Sequence, residues 1–130
     1  MRINELVNKK NISVVLIILA VVIIGFWWRQ GNQQTSKLDD FTKCLKDRGA
    51  KFYGAFWCPH CQNQKAIFGS SAKYLPYIEC STPDGNSQLP VCKDKNIEGY
   101  PTWEFNDGSR ITGEISLDQL AQKTECQLPN

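Results

Sequence analysis

Cys58, Pro59, His60 and Cys61 are the residues whose types and spacing promise chemistry. Two cysteines at this spacing can join in a short, accessible disulfide or part as two thiols, which makes a two-electron redox couple. Apolar residues from Phe52 to Trp57 run straight into the first cysteine, as a buried central strand reads when it ends at a reactive turn. Gln62 to Phe68 suits a helix, so Cys58 falls at a helix N-terminus. Unpaired backbone N–H groups and the positive end of the helix dipole favour a thiolate there. The thiolate is the species that attacks disulfides. Pro59 takes the first helical position, where its missing N–H costs nothing. His60 offers a hydrogen bond or a positive charge toward the Cys58 sulfur. A stabilised thiolate stabilises the dithiol form, which makes the couple more oxidising. Cys61 lies one turn inside the helix and is expected to be more buried and less acidic. Cys58 is then the attacking and attacked sulfur, and Cys61 the resolving one.

Two plainer uses of the pair compete. Structural zinc takes a second close pair of ligands, but the other cysteines are scattered and His60 is the only histidine. A purely structural disulfide is the other, although so short a loop favours an exchangeable bond. The expectation is a redox-active disulfide with no metal and no bound cofactor.

Trp57-Cys58-Pro59-His60-Cys61 at the end of an apolar strand resembles the thioredoxin superfamily, and its Pro-His pair resembles the DsbA-type thiol oxidases. Phe52 to Gln62, then Tyr77-Ile78-Glu79-Cys80, then Gly99-Tyr100-Pro101-Thr102-Trp103, resemble the thioredoxin-like domain that accompanies vitamin K epoxide reductase homologues. The likeness covers Leu38 to Leu128. It implies an α/β fold with a central mixed sheet flanked by helices, and a cis peptide before Pro101 that packs against the active pair. It also implies client proteins with cysteine thiols, and a separate quinone-reducing membrane partner of the vitamin K epoxide reductase type. In the family an acid usually stands six residues before the first active cysteine. This chain has Phe52 there, so water or the surroundings of His60 must accept the Cys61 proton.

Six cysteines are many for 130 residues. Disulfides persist in oxidising compartments, so the count points outside the cytoplasm. Arg2, Lys9, Lys10 and Glu5 account for the whole net charge of +2. The remainder is neutral and gives no electrostatic case for nucleic acid.

Ile12 to Trp28 is almost unbroken apolar sequence, long enough at about 1.5 Å per residue to span a thin bilayer as one transmembrane helix. Trp27 and Trp28 fall where an interfacial aromatic belt belongs. Arg2, Lys9 and Lys10 put residues 1–11 in the cytoplasm and the domain outside, by the positive-inside rule. A cleaved signal peptide is the alternative, but Gly25 to Arg29 offers no small-x-small cleavage site. Residues 29–37 are polar and read as a flexible tether to a domain over 38–130.

The domain is expected to run as a helix from Leu38 to Arg48, capped by Ser36 or Asp39 and stopped by Gly49, then a strand over Lys51 to Trp57. A helix over Gln62 to Leu75 follows, with a possible break at Gly69. On it Gln64 and Lys65 read as solvated face. A short strand covers Tyr77 to Cys80, and a short helix Pro90 to Asn96. Strands over Thr102 to Phe105 and Arg110 to Ile115 flank the turn Asn106-Asp107-Gly108. A last helix runs from Leu117 to Thr124 behind Ser116. With Cys58 and Cys61 paired, three connectivities remain for the other four cysteines. Local spacing favours Cys80–Cys92, which leaves Cys44–Cys126. The first bridge would be worth about 2–3 kcal/mol and the second about 4 kcal/mol on chain-entropy grounds.

The sequence therefore reads as a membrane-anchored extracytoplasmic thiol-disulfide oxidoreductase that oxidises clients. An anchored reductase serving haem attachment or repair, and a non-catalytic interaction domain, are the competing functions.

Overall fold

The computed structural model describes residues 2–30 and 36–130, with side chains over 11–27 and 36–130. The chain divides into two units, the N-terminal helix and the body that follows it. Helix α1 runs Arg2–Gln30. It extends well beyond the expected 12–28, because Arg2 to Asn11 contains no proline or glycine to stop it. Its large apolar side chains between Ile12 and Trp27 are exposed. Among the described residues no helix is long and apolar enough to cross a membrane. Arg29 and Gln30, expected in the tether, end this helix, and positions 31–35 lie outside the described residues.

The body contains α2 (Asp39–Asp47), β1 (Lys51–Gly54), α3 (Pro59–Ala66), a 3₁₀ segment (Gly69–Tyr74) and β2 (Tyr77–Glu79). After these come α4 (Pro90–Lys93), β3 (Thr102–Glu104), β4 (Arg110–Thr112) and α5 (Leu117–Thr124). The four strands form one mixed sheet in the order β2-β1-β3-β4. β1 lies parallel to β2, with Phe52 opposite Tyr77 and Gly54 opposite Glu79. That parallel pairing needs a crossover, which α3 and the 3₁₀ segment supply. β1 pairs antiparallel with β3, placing Phe52 opposite Trp103.

Phe52 lies in an aromatic stack, 4.8 Å from the Trp103 ring centroid and 5.2 Å from that of Tyr77. Phe41 and Leu45 from α2, Phe68 and Leu120 bury themselves around it. The apolar spacing along α2 places Cys44 beside Cys126, and the two are bonded at 2.07 Å. Cys80 and Cys92 form the second disulfide, which closes the turn-rich loop 81–89.

Several boundaries differ from the sequence reading. Neither Ser36 nor Asp39 caps α2; Leu38 holds the cap position without a side-chain hydrogen bond. Asp39 instead accepts hydrogen bonds from the Ser71 hydroxyl at 2.6 Å and the Ser36 amide at 3.2 Å, tying the helix start to the 3₁₀ segment. β1 stops at Gly54, so Phe56 and Trp57 stand exposed in a turn rather than in a strand. β4 ends at Thr112, and α4 is a single turn. Helix α3 ends at Ala66, and the 3₁₀ segment opens at Gly69, whose φ of +54° suits a residue without Cβ. Ser116 caps α5 reciprocally with Gln119.

Candidate active site

Cys58 is the N-cap residue of α3, with Pro59 in the first turn. Its backbone is extended while the next residue is already helical, and its side chain makes no capping hydrogen bond to the amides of that turn. The Cys58 thiol lies 3.8 Å from the Tyr100 carbonyl oxygen. Tyr100–Pro101 is a cis peptide, and Pro101 is buried against this same end of the sheet. Gln62 donates to the Phe56 carbonyl at 2.7 Å and pins the turn that carries Phe56 and Trp57.

The two thiols are free and unequal. Cys58 retains 5% of its surface and Cys61 none. Burial pushes the Cys61 thiol up to about 12, and Cys58 beside it pushes the same way. The Ala55 backbone and the Lys65 ammonium pull it back only in part.

His60 turns away from the expected direction. Its Nδ1 lies 2.7 Å from Glu114 Oε1, and among the described residues no hydrogen bond joins it to Cys58. Asn63 donates to the same carboxylate oxygen at 3.2 Å. These two partners hold the Glu114 carboxyl below its ordinary range, His60 first and Asn63 second. Nothing in the sequence pairs Glu114 with His60, since 54 residues separate them.

Gln64, read from sequence as solvated, is buried. It exchanges two hydrogen bonds with the Ile115 backbone, at 3.0 and 2.8 Å, and so fastens α3 to the segment before α5. Lys65 lies over the Tyr77 ring, 3.4 Å from its centroid. Trp57 donates to the Ser81 hydroxyl at 2.8 Å and meets the Tyr100 ring edge-on at 6.2 Å. Beside them a cavity of about 220 Å³ opens between Trp57, Tyr100 and loop residues 85–88. The Cys80–Cys92 bridge thus fixes a loop that flanks Cys58.

This arrangement can exchange disulfides. Cys58 holds the little surface that the pair exposes, and Cys61 is fully buried. Comparison with known proteins agrees. Residues 34–125 match the family model described as Thioredoxin. Thiol-disulfide oxidoreductase LTO1 of Arabidopsis thaliana is 51% identical over 91 residues, covering 66% of this chain and 24% of that protein. A Thioredoxin domain-containing protein 5 homolog of Drosophila melanogaster is 32% identical, covering 68% of this chain and 24% of its own length. Protein disulfide isomerase-like 5-1 of rice, Oryza sativa subsp. japonica, is 23% identical, covering 82% and 78%. The chain therefore spans about a quarter of the first two relatives. With its mixed sheet, its cysteine pair at the start of α3 and its match over 34–125, the chain belongs to the thioredoxin family.

Proposed function

We propose that this protein is a membrane-anchored, extracytoplasmic thiol-disulfide oxidoreductase that oxidises the thiols of client proteins. The observation that carries the reading is the inequality of the two thiols. Cys58 sits at the helix N-terminus beside the cis-Pro101 turn, and Cys61 is fully buried with its proton held tightly. A client thiolate attacks Cys58 of the disulfide form, and Cys61 leaves and takes a proton. A second client thiolate then attacks the client sulfur and expels the Cys58 thiolate. The client gains a disulfide, and the two electrons remain on the reduced pair, as a Cys61 thiol and a Cys58 thiolate. A membrane-embedded quinone reductase of the vitamin K epoxide reductase type would remove them, as the sequence resemblance implies.

Helix α1 would be the anchor. Its apolar side chains are exposed on every side over 12–27, and water would not favour that arrangement. The basic residues before it favour an N-terminus in the cytoplasm. The named activity of the Arabidopsis relative supports thiol-disulfide chemistry.

One observation favours the opposite direction. The Glu114 carboxylate holds the His60 ring away from Cys58 and puts a negative charge near the start of α3, which disfavours a Cys58 thiolate. An anchored reductase is therefore the second reading. Both readings share the trapping test. Cys61→Ala should accumulate stable mixed disulfides with clients or the membrane partner through Cys58, and Cys58→Ala should accumulate few. Equal trapping by the two variants would remove Cys58 from its role.

A further inference from the structure

An acid is absent from the position where the family usually keeps one, because Phe52 fills it between Trp103 and Tyr77. Cys61 still has to lose and regain a proton in each cycle, with its thiol buried. The surroundings of His60 do not serve this need, since that ring is turned to Glu114 at the surface. The other side of Cys61 holds a different set of groups. A Cβ at Gly54 would lie 2.9 Å from Cys61 Sγ and 2.8 Å from Tyr77 Cε2. Sulfur and ring edge are thus neighbours across a missing side chain. The Tyr77 hydroxyl donates to Glu79 Oε2 at 2.8 Å. Glu79 Oε1 accepts from the Ser81 amide at 2.9 Å and the Phe56 amide at 3.2 Å, so the carboxylate is held in place.

The geometry points to Tyr77 and Glu79 as the proton relay of Cys61, an acid moved from β1 to the neighbouring strand β2. This rests on Cys58 and Cys61 being a redox pair. When Cys61 attacks the Cys58 sulfur of a mixed disulfide and breaks its bond to the partner sulfur, its proton passes to the Tyr77 oxygen while the Tyr77 proton passes to Glu79. The products are a Cys58–Cys61 disulfide, the released partner thiolate, an unchanged tyrosine and a protonated Glu79. The reverse transfer protonates Cys61 when it leaves. Burial, and then the Glu79 hydrogen bond, push the Tyr77 hydroxyl up, so it carries the proton rather than staying ionised. The charged and titratable groups that act on Cys61 are Cys58 and Lys65 from α3 and its cap, and Tyr77 from β2, through whose hydroxyl Glu79 is reached. Gly54 at the end of β1 and the Ala55 backbone after it add no titratable group.

The test loads Cys58 of the full chain with 5-thio-2-nitrobenzoate and follows its release by Cys61 against pH. Glu79→Gln and Tyr77→Phe should each slow release at about pH 7 by roughly tenfold or more. The deficit should narrow toward about pH 10, where hydroxide competes with the relay. Alkylation of reduced Cys58 by iodoacetamide should be unchanged in both variants. A distortion of the fold would instead slow release at every pH. Parallel pH profiles, or variant rates equal to the wild type, overturn the relay and leave the redox pair intact. A wild-type protein that fails to release the label overturns the pair itself.

Discussion

Cys58 and Cys61 differ in burial by only a few per cent of their surface, yet the proposed roles diverge because one holds the N-cap position of α3 and the other is a fully buried residue within it. A buried thiol resists ionisation because its charged form loses solvation. The Cys61 thiol, raised from 9.0 to about 12, makes a stability prediction. Unfolding lets that thiol ionise at ordinary values, so the unfolded chain binds fewer protons above about pH 9. The dithiol form should therefore lose stability as pH rises from there toward the folded value, by up to about 1.4 kcal/mol per pH unit. Below that window the contribution is fully present. Denaturant melts of the dithiol and disulfide forms against pH would show it. The disulfide form, whose Cys61 does not titrate, should lack this component. The same slope in both forms would contradict the assignment. Glu114 makes a second prediction. Glu114→Gln should remove the negative charge near the start of α3 and make the couple more oxidising, while His60→Ala should leave that carboxylate without its ring partner and make the couple more reducing. Potentials unmoved by either change would remove this pair from redox control.

At the scale of elements, sequence alone reached the strand, the start of α3 at Pro59, the interruption of helix around Gly69 and α5 with its Ser116 cap. Those features depend on local chemistry: proline at a first turn, a glycine with positive φ, a serine answered by Gln119. The readings that differed concern residues whose environment comes from distant chain. Gln64 looked solvated because its partner, the Ile115 backbone, is 51 residues away. Phe56 and Trp57 looked like strand because apolar runs usually are, but both stand exposed in the turn between β1 and Cys58. Tyr77 and Glu79 alternate as strand residues do, which puts them on one face. Only the register of β2 against β1 brings that face to Cys61. The disulfides belong to this scale too. Replacing Cys80 and Cys92 by serine should cost about 2–3 kcal/mol, since the loop is short. Replacing Cys44 and Cys126 should cost about 4 kcal/mol, because their bridge spans 82 residues. Chemical denaturation of each double variant measures both costs. A larger loss from the Cys80–Cys92 pair would contradict this ordering.

At the scale of the whole molecule, the proposed anchoring would hold a disulfide-stapled thioredoxin-family domain at a membrane surface. Tethering would raise the local concentration of the domain near a membrane partner without adding a contact. Mass spectrometry of the membrane-extracted protein should find Met1 to Trp28 retained; a mature N-terminus near Gln30 would show cleavage. The central claim is that the Cys58–Cys61 couple oxidises clients, and its equilibrium reduction potential against glutathione tests this most directly. The account predicts a value less negative than about −200 mV, in the range of protein disulfide isomerase or DsbA-type oxidants. A value near about −270 mV, that of thioredoxin, would contradict it and make the anchored reductase the better description.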